Sequence, residues 1–125
     1  MSAVSGAGDV NGRSVNGPKP FTLAAANLDD LLAAAPVSGE KFQIKRIFQG
    51  TGVRMIRLTF AAGQTMREHS TNAPLVVQVL EGTVAFRIAG EELTLPAGAI
   101  LHVEPSELHE LEAVTDAHLL LTLAV

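Results

Sequence analysis

From Lys41 onward, apolar and polar positions alternate in runs of four to eight residues, each closed by turn-forming residues. Alternation with a period of two is the signature of strands that bury one face. The runs predict strands over Phe42 to Phe48, Val53 to Phe60, Thr65 to His69, Leu75 to Leu80, Thr83 to Ile88, Glu92 to Leu95, Ile100 to Glu104, His109 to Val114 and Ala117 to Leu123. The cleanest is Thr83 to Ile88, where Val84, Phe86 and Ile88 share a face. Gly50-Thr51-Gly52, Ala62-Gly63, Glu81-Gly82, Gly90-Glu91, Pro96-Ala97-Gly98 and Thr115-Asp116 separate the runs and carry turn chemistry. Before them lies one short helix, with Asn27 as N-cap, Asp29 and Asp30 in the first turn, and Leu28, Leu31, Leu32 and Ala35 along one stripe until Pro36 ends it. Short strands with tight connections and almost no helix exclude a parallel α/β sheet and leave an antiparallel sandwich, jelly roll or small barrel.

The chain therefore divides into a flexible arm over residues 1–20, a short helix and linker over 21–39, and an all-β domain over 40–125. The arm is rich in Gly, Ser and Asn, and offers little apolar surface to offset the entropy of ordering it. With 125 residues there is material for one core and not two.

Composition narrows the chemistry. The absence of cysteine removes disulfides, zinc-thiolate centres, iron-sulfur clusters and thiol nucleophiles. A net charge of -4 provides no electrostatic footprint for nucleic acid. Five Phe without Trp or Tyr leave little for stacking on sugars or bases. No run is long enough to span a bilayer and the N-terminus lacks a secretory pattern, so the expected setting is cytoplasmic, with no membrane or nucleic-acid partner. Charge is segregated along the chain: Lys41, Lys45, Arg46, Arg54, Arg57 and Arg67 precede Glu68, and later charges are mostly acidic. This predicts solvated strand faces of opposite sign, or else a self-complementary surface that makes the chain a homodimer.

Four histidines remain: His69, His102, His109 and His118. His69 closes a strand and leads into the loop Ser70-Thr71-Asn72-Ala73-Pro74. His109 opens a strand after Glu104-Pro105-Ser106. Strand-end positions of this kind surround the mouth of a barrel, where ligand sites are built. His102 and His118 read as structural strand residues, and no serine is placed to make a triad with Asp116 and His118.

The stretch from Gly63 to Gly82 resembles the first motif of the cupins: Gly63, five residues, His69, one residue, Thr71, three residues, Leu75, six residues and Gly82. Gly98, followed by Glu104, Ser106 and His109, resembles the second motif, with fifteen residues between the two. The resemblance covers residues 40–125 and implies a double-stranded β-helix, the cupin jelly-roll barrel. In that family two His and one Glu of the first motif and one His of the second hold a metal. Position by position these fall on His69, Thr71, Leu75 and His109, so two imidazoles survive and the carboxylate is replaced by an aliphatic side chain. The glycine of the second motif is Ser106, its proline is Glu104, and its last polar position is Ala113.

Two readings of the site follow. In one, the barrel binds a small, mainly apolar ligand, with His69 and His109 as polar anchors and Met55, Thr71, Leu75, Val77 and Phe86 as wall. In the other, the resemblance implies a dioxygenase, isomerase or decarboxylase in which His69 and His109 hold Fe, Mn, Ni or Zn. The second requires a divalent cation without a carboxylate among apolar side chains, unless Glu107 or His102 turns inward. A sensory or scaffold module engaging another protein is a third class.

Overall fold

The protein is described by a computed structural model covering residues 19–125; most of the arm read over residues 1–20 lies outside the described residues. The helix α1 spans Leu28–Ala33, and the Asn27 side chain caps it by accepting from the Asp30 amide at 2.9 Å. The strands are β1 (Gln43–Gly50), β2 (Val53–Phe60), β3 (Thr65–His69), β4 (Leu75–Glu81), β5 (Thr83–Ile88), β6 (Glu91–Pro96), β7 (Ile100–Val103), β8 (His109–Ala113) and β9 (Ala117–Ala124). They form a five-stranded sheet in the order β1-β2-β9-β4-β7 and a four-stranded sheet in the order β3-β8-β5-β6. The pairings are antiparallel. The chain thus adopts the jelly-roll architecture expected from its strand pattern.

Period two decides what lies between the sheets. Alternate residues of β4 (Leu75, Val77, Val79), β5 (Val84, Phe86), β8 (Leu111, Ala113) and β9 (Leu119, Leu123) join Leu58, Phe60 and Val103 in one buried cluster. Phe42 stacks on Phe60 with ring centroids 5.1 Å apart and extends this cluster toward the linker.

The chain passes from one sheet to the other through the single residue Gly82, whose φ is +84°. A Cβ at that position would lie 2.0 Å from the carbonyl oxygen of Asp116, in the turn before β9. The connections β4–β5 and β8–β9 can therefore touch only if this residue is glycine.

The opposite face of the five-stranded sheet carries Arg57, Thr59 and His118, all buried. The expectation that Arg57 belongs to a solvated basic face is overturned: it is fully buried beneath α1 and the following linker. Its Nε donates to the carbonyl of Leu31 at 2.7 Å, and its Nη atoms donate to the carbonyls of Leu58 and Leu119, to Thr59 Oγ1 and to His118 Nδ1. Thr59 in turn donates to the carbonyl of Ala35 at 2.6 Å. Leu31 is near the helix C-terminus, where carbonyls lack intrahelical partners, so the guanidinium satisfies what the short helix cannot. Of the expected helix stripe, Leu31 and Leu32 are half-buried and Ala35 is buried, but Leu28 is exposed.

Candidate functional site

β3 and β8 bring the two motif histidines together. Thr65 pairs with Glu112 and Met66 with Leu111, but the next pair is His69 with His109, so β3 holds one extra residue between Met66 and His69. That bulge changes the parity of the strand. Met66 packs against the core, and regular alternation would turn Glu68 inward beside it; the bulge puts His69 there instead. An imidazole rather than a carboxylate therefore faces His109.

The rings meet edge to face, with centroids 4.4 Å apart and planes at 62°. Behind them Phe86 stacks on His109 at 5.4 Å and 15°. The Nδ1 of His69 lies 2.9 Å from the carbonyl oxygen of Arg67, and the Nδ1 of His109 lies 2.9 Å from that of Glu107. A carbonyl can only accept, so each Nδ1 carries the hydrogen and each neutral ring keeps its lone pair on Nε2. Both rings are thus oriented by the backbone two residues upstream, with a basic nitrogen left free. The His109 pKa is lowered from its ordinary value, chiefly because burial penalises the cation. The Glu107 carbonyl opposes that effect and the neighbouring His69 adds to it.

The surrounding loops are tied across the mouth. The Ser106 amide donates to the Thr71 carbonyl at 2.7 Å, joining loop 70–74 to loop 104–108. The Thr71 hydroxyl is committed to the carbonyl of Ala73 at 2.8 Å. Leu75 and Val77 are core residues, each about as buried as Phe86. They are packed hydrophobic material of the core cluster rather than the lining of an open chamber. Met55 does not join them. It alternates with Ile56, Leu58 and Phe60, whose side chains enter the core, and so shares the outer face with Arg57 and Thr59.

Neither of the inward donors considered above materialises. His102 is half exposed on the outer face, 3.8 Å from Glu104, and Glu107 is exposed and contributes only its carbonyl. Among the described residues no group of three His, Cys, Asp or Glu side chains converges. Divalent sites of Fe, Mn, Ni or Zn ordinarily take three or four protein donors, commonly with a carboxylate. Two imidazoles, one of them stacked on Phe86, do not fit a resident divalent metal.

Beside the pair lies a surface cavity of about 340 Å³ lined by Glu68, Arg87, Ala89, Glu91, Leu108 and Glu110, among others. None of the expected site residues lines it. It lies on the opposite side of β5 and β8 from Phe86 and His109. Arg87 is engaged there by Glu92 at 3.2 Å and by Glu110 and Glu112 at 3.5 Å.

Sequence inspection missed the cluster of Arg57, Thr59 and His118. The signal was present in the alternation of Met55, Arg57 and Thr59 with Ile56, Leu58 and Phe60. What was invisible is that the linker would cover that face.

An antiparallel jelly roll with a pair of strand-end imidazoles defines a class of small β domains. A family profile described as a cupin domain matches residues 56–125, and the chain belongs to the cupins. Among solved structures it is similar to an RmlC-like cupin from Desulfovibrio desulfuricans, at 33% identity and a TM-score of 0.70, covering 76% of this chain and 92% of that one. It is similar in fold to a protein of unknown function from Streptococcus pyogenes, at 19% identity and a TM-score of 0.71, covering 85% and 91%. A predicted oxalate decarboxylase from Thermotoga maritima shares the fold at 17% identity and a TM-score of 0.61, covering 67% and 80%. No curated protein matches the chain. Among the described residues no helix is long and apolar enough to cross a membrane.

Proposed function

We propose that this cupin domain binds a small, mainly apolar molecule bearing a hydroxyl or similar hydrogen-bond donor. The site is the rim where β3, β8 and the loops 70–74 and 104–108 meet. The observation that carries this reading is that Nδ1 of both His69 and His109 faces a backbone carbonyl, which leaves Nε2 as the acceptor in each neutral ring. Two imidazoles with ring centroids 4.4 Å apart, one of them stacked on Phe86, suit a donor on an apolar frame. Carboxylate and phosphate ligands are disfavoured, because the buried cation is Arg57, on the far face of the other sheet. The exposed carboxylates of Glu104 and Glu107 lie in the loop that leads into His109. Leu75, Val77 and Phe86 support the site from the core, and Thr71 fixes the loop over it.

The test is a binding titration at pH 8, where imidazoles of ordinary pKa are neutral, with phenol as the neutral probe and benzoate as its anionic counterpart. Phenol is expected to bind more tightly than benzoate, and His69→Ala and His109→Ala are each expected to weaken phenol binding about tenfold, as loss of a hydrogen bond of roughly 1.4 kcal/mol would. Absence of phenol binding, or binding unaffected by both substitutions, contradicts the reading.

A further inference from the structure

His118 sits where a single proton would reverse the sign of a contact that fastens the helix to the barrel. Its Nδ1 lies 2.6 Å from Arg57 Nη2. Arginine can only donate, so Nδ1 must present a lone pair and the ring is neutral with its hydrogen on Nε2. That Nε2 points toward Glu81, whose Oε1 is 4.0 Å away. A protonated ring would instead turn an N–H toward the guanidinium N–H, setting two donors and two positive charges against each other.

What Arg57 holds determines the consequence. Two of its bonds go to the carbonyls of Leu58 and Leu119, within the sheet. The remaining attachments reach α1 and the residues just after it: Nε to the Leu31 carbonyl directly, and Nη2 to Thr59 Oγ1, which itself holds the Ala35 carbonyl. A guanidinium displaced from His118 keeps its sheet partners most easily, because they are fixed by the strands, and loses those on the short helix. A third tie, from Gln64 Nε2 to the Ser38 carbonyl at 2.9 Å, lies outside this cluster and retains the far end of the linker.

We propose that α1 and the residues up to Ala35 form a strap over the outer face of the five-stranded sheet, and that His118 releases it on taking up a proton by exchanging Arg57 for Glu81. The charged groups facing His118 are Arg57 from β2, Glu81 from β4 and Asp116 from the turn before β9. Asp116 is already bonded to the Ala62 amide at 2.9 Å, and the strap contributes only the carbonyls of Leu31 and Ala35. Burial and Arg57 lower the His118 pKa, while Glu81 and Asp116 raise it. The closed strap therefore favours the neutral ring, and opening becomes easier as pH falls, by up to tenfold per pH unit while the open form binds the proton and the closed form does not.

The experiment is amide hydrogen exchange by NMR on the whole chain from pH 7.5 to 5, corrected for intrinsic rates, alongside the titration of the His118 ring. Protection of the Leu31, Ala34 and Ala35 amides is expected to drop at least tenfold, with β2 and β9 unchanged and with a midpoint matching that of His118. His118→Asn offers an amide oxygen to Arg57 without a titrating group, and is expected to keep the strap protected throughout. Glu81→Gln, at an exposed position that does not threaten folding, is expected to move the midpoint to lower pH. Constant strap protection in the unmodified protein, the same loss in His118→Asn, a midpoint unrelated to His118, or no shift in Glu81→Gln would each overturn the proposal.

Discussion

Ser106 holds a left-handed backbone, with φ at +67°, in the position where the cupin pattern has glycine. Its amide binds the Thr71 carbonyl, so the conformation is imposed by the clasp between the two loops at the mouth. An L side chain in that region carries a steric cost that glycine avoids. Ser106→Gly is accordingly expected to raise stability by about 0.5–1 kcal/mol without disturbing the fold, read from the shift of the urea midpoint at constant slope; destabilisation would contradict the strain argued for this loop. The same comparison explains what was legible in the sequence at single positions. His69, His109 and Phe86 could be placed together because motif spacing and period two locate them independently. Met55 could not, because one strand shows which residues alternate but not which of its two faces meets the opposite sheet.

Turns show a similar division. The sequence pattern puts the turn at Gly90-Glu91 and starts β6 at Glu92, but the two-residue loop is Ala89-Gly90, with φ of +53° and +78°, and Glu91 already pairs with Ile88. Positive φ at both loop positions is the arrangement in which Asn-Gly is preferred. Ala89→Asn is expected to stabilise the protein by about 0.5 kcal/mol in thermal or urea unfolding, and a lower midpoint would argue against this turn geometry. Strand existence and near-boundaries were legible because each run buries one face against the same core. The bulge in β3 was not, since an extra residue leaves alternation locally ambiguous and only pairing with β8 resolves it. The helix was legible from Asn27 and Pro36, while its attachment through Arg57 depends on a contact between distant parts of the chain.

Two buried histidines on different faces of the molecule give the whole domain a common response to acid. His109 and His118 both have lowered pKa values, with burial the largest cause in each case. The native state thus binds fewer protons than the unfolded chain just below the ordinary histidine pKa of 6.5. Their neutral packing is fully favourable above that value, and the stability is lost as pH falls from it through the native values. Urea midpoints are expected to be flat from pH 8 to 7 and to decline below about 6.5, with the decline reduced in His118→Asn; an increase in stability over that interval would contradict the neutral burial of both rings. The proposed ligand site lies on the other face, where the Nδ1 atoms of His69 and His109 are each turned to a backbone carbonyl. The most direct measurement is the ring-nitrogen NMR spectrum of both histidines at pH 8, with and without phenol. The expected spectra show hydrogen on Nδ1 and a bare Nε2 in both rings, with both Nε2 signals moving as phenol binds. Hydrogen on Nε2 of either ring, or Nε2 signals that stay fixed while phenol binds elsewhere, would contradict it.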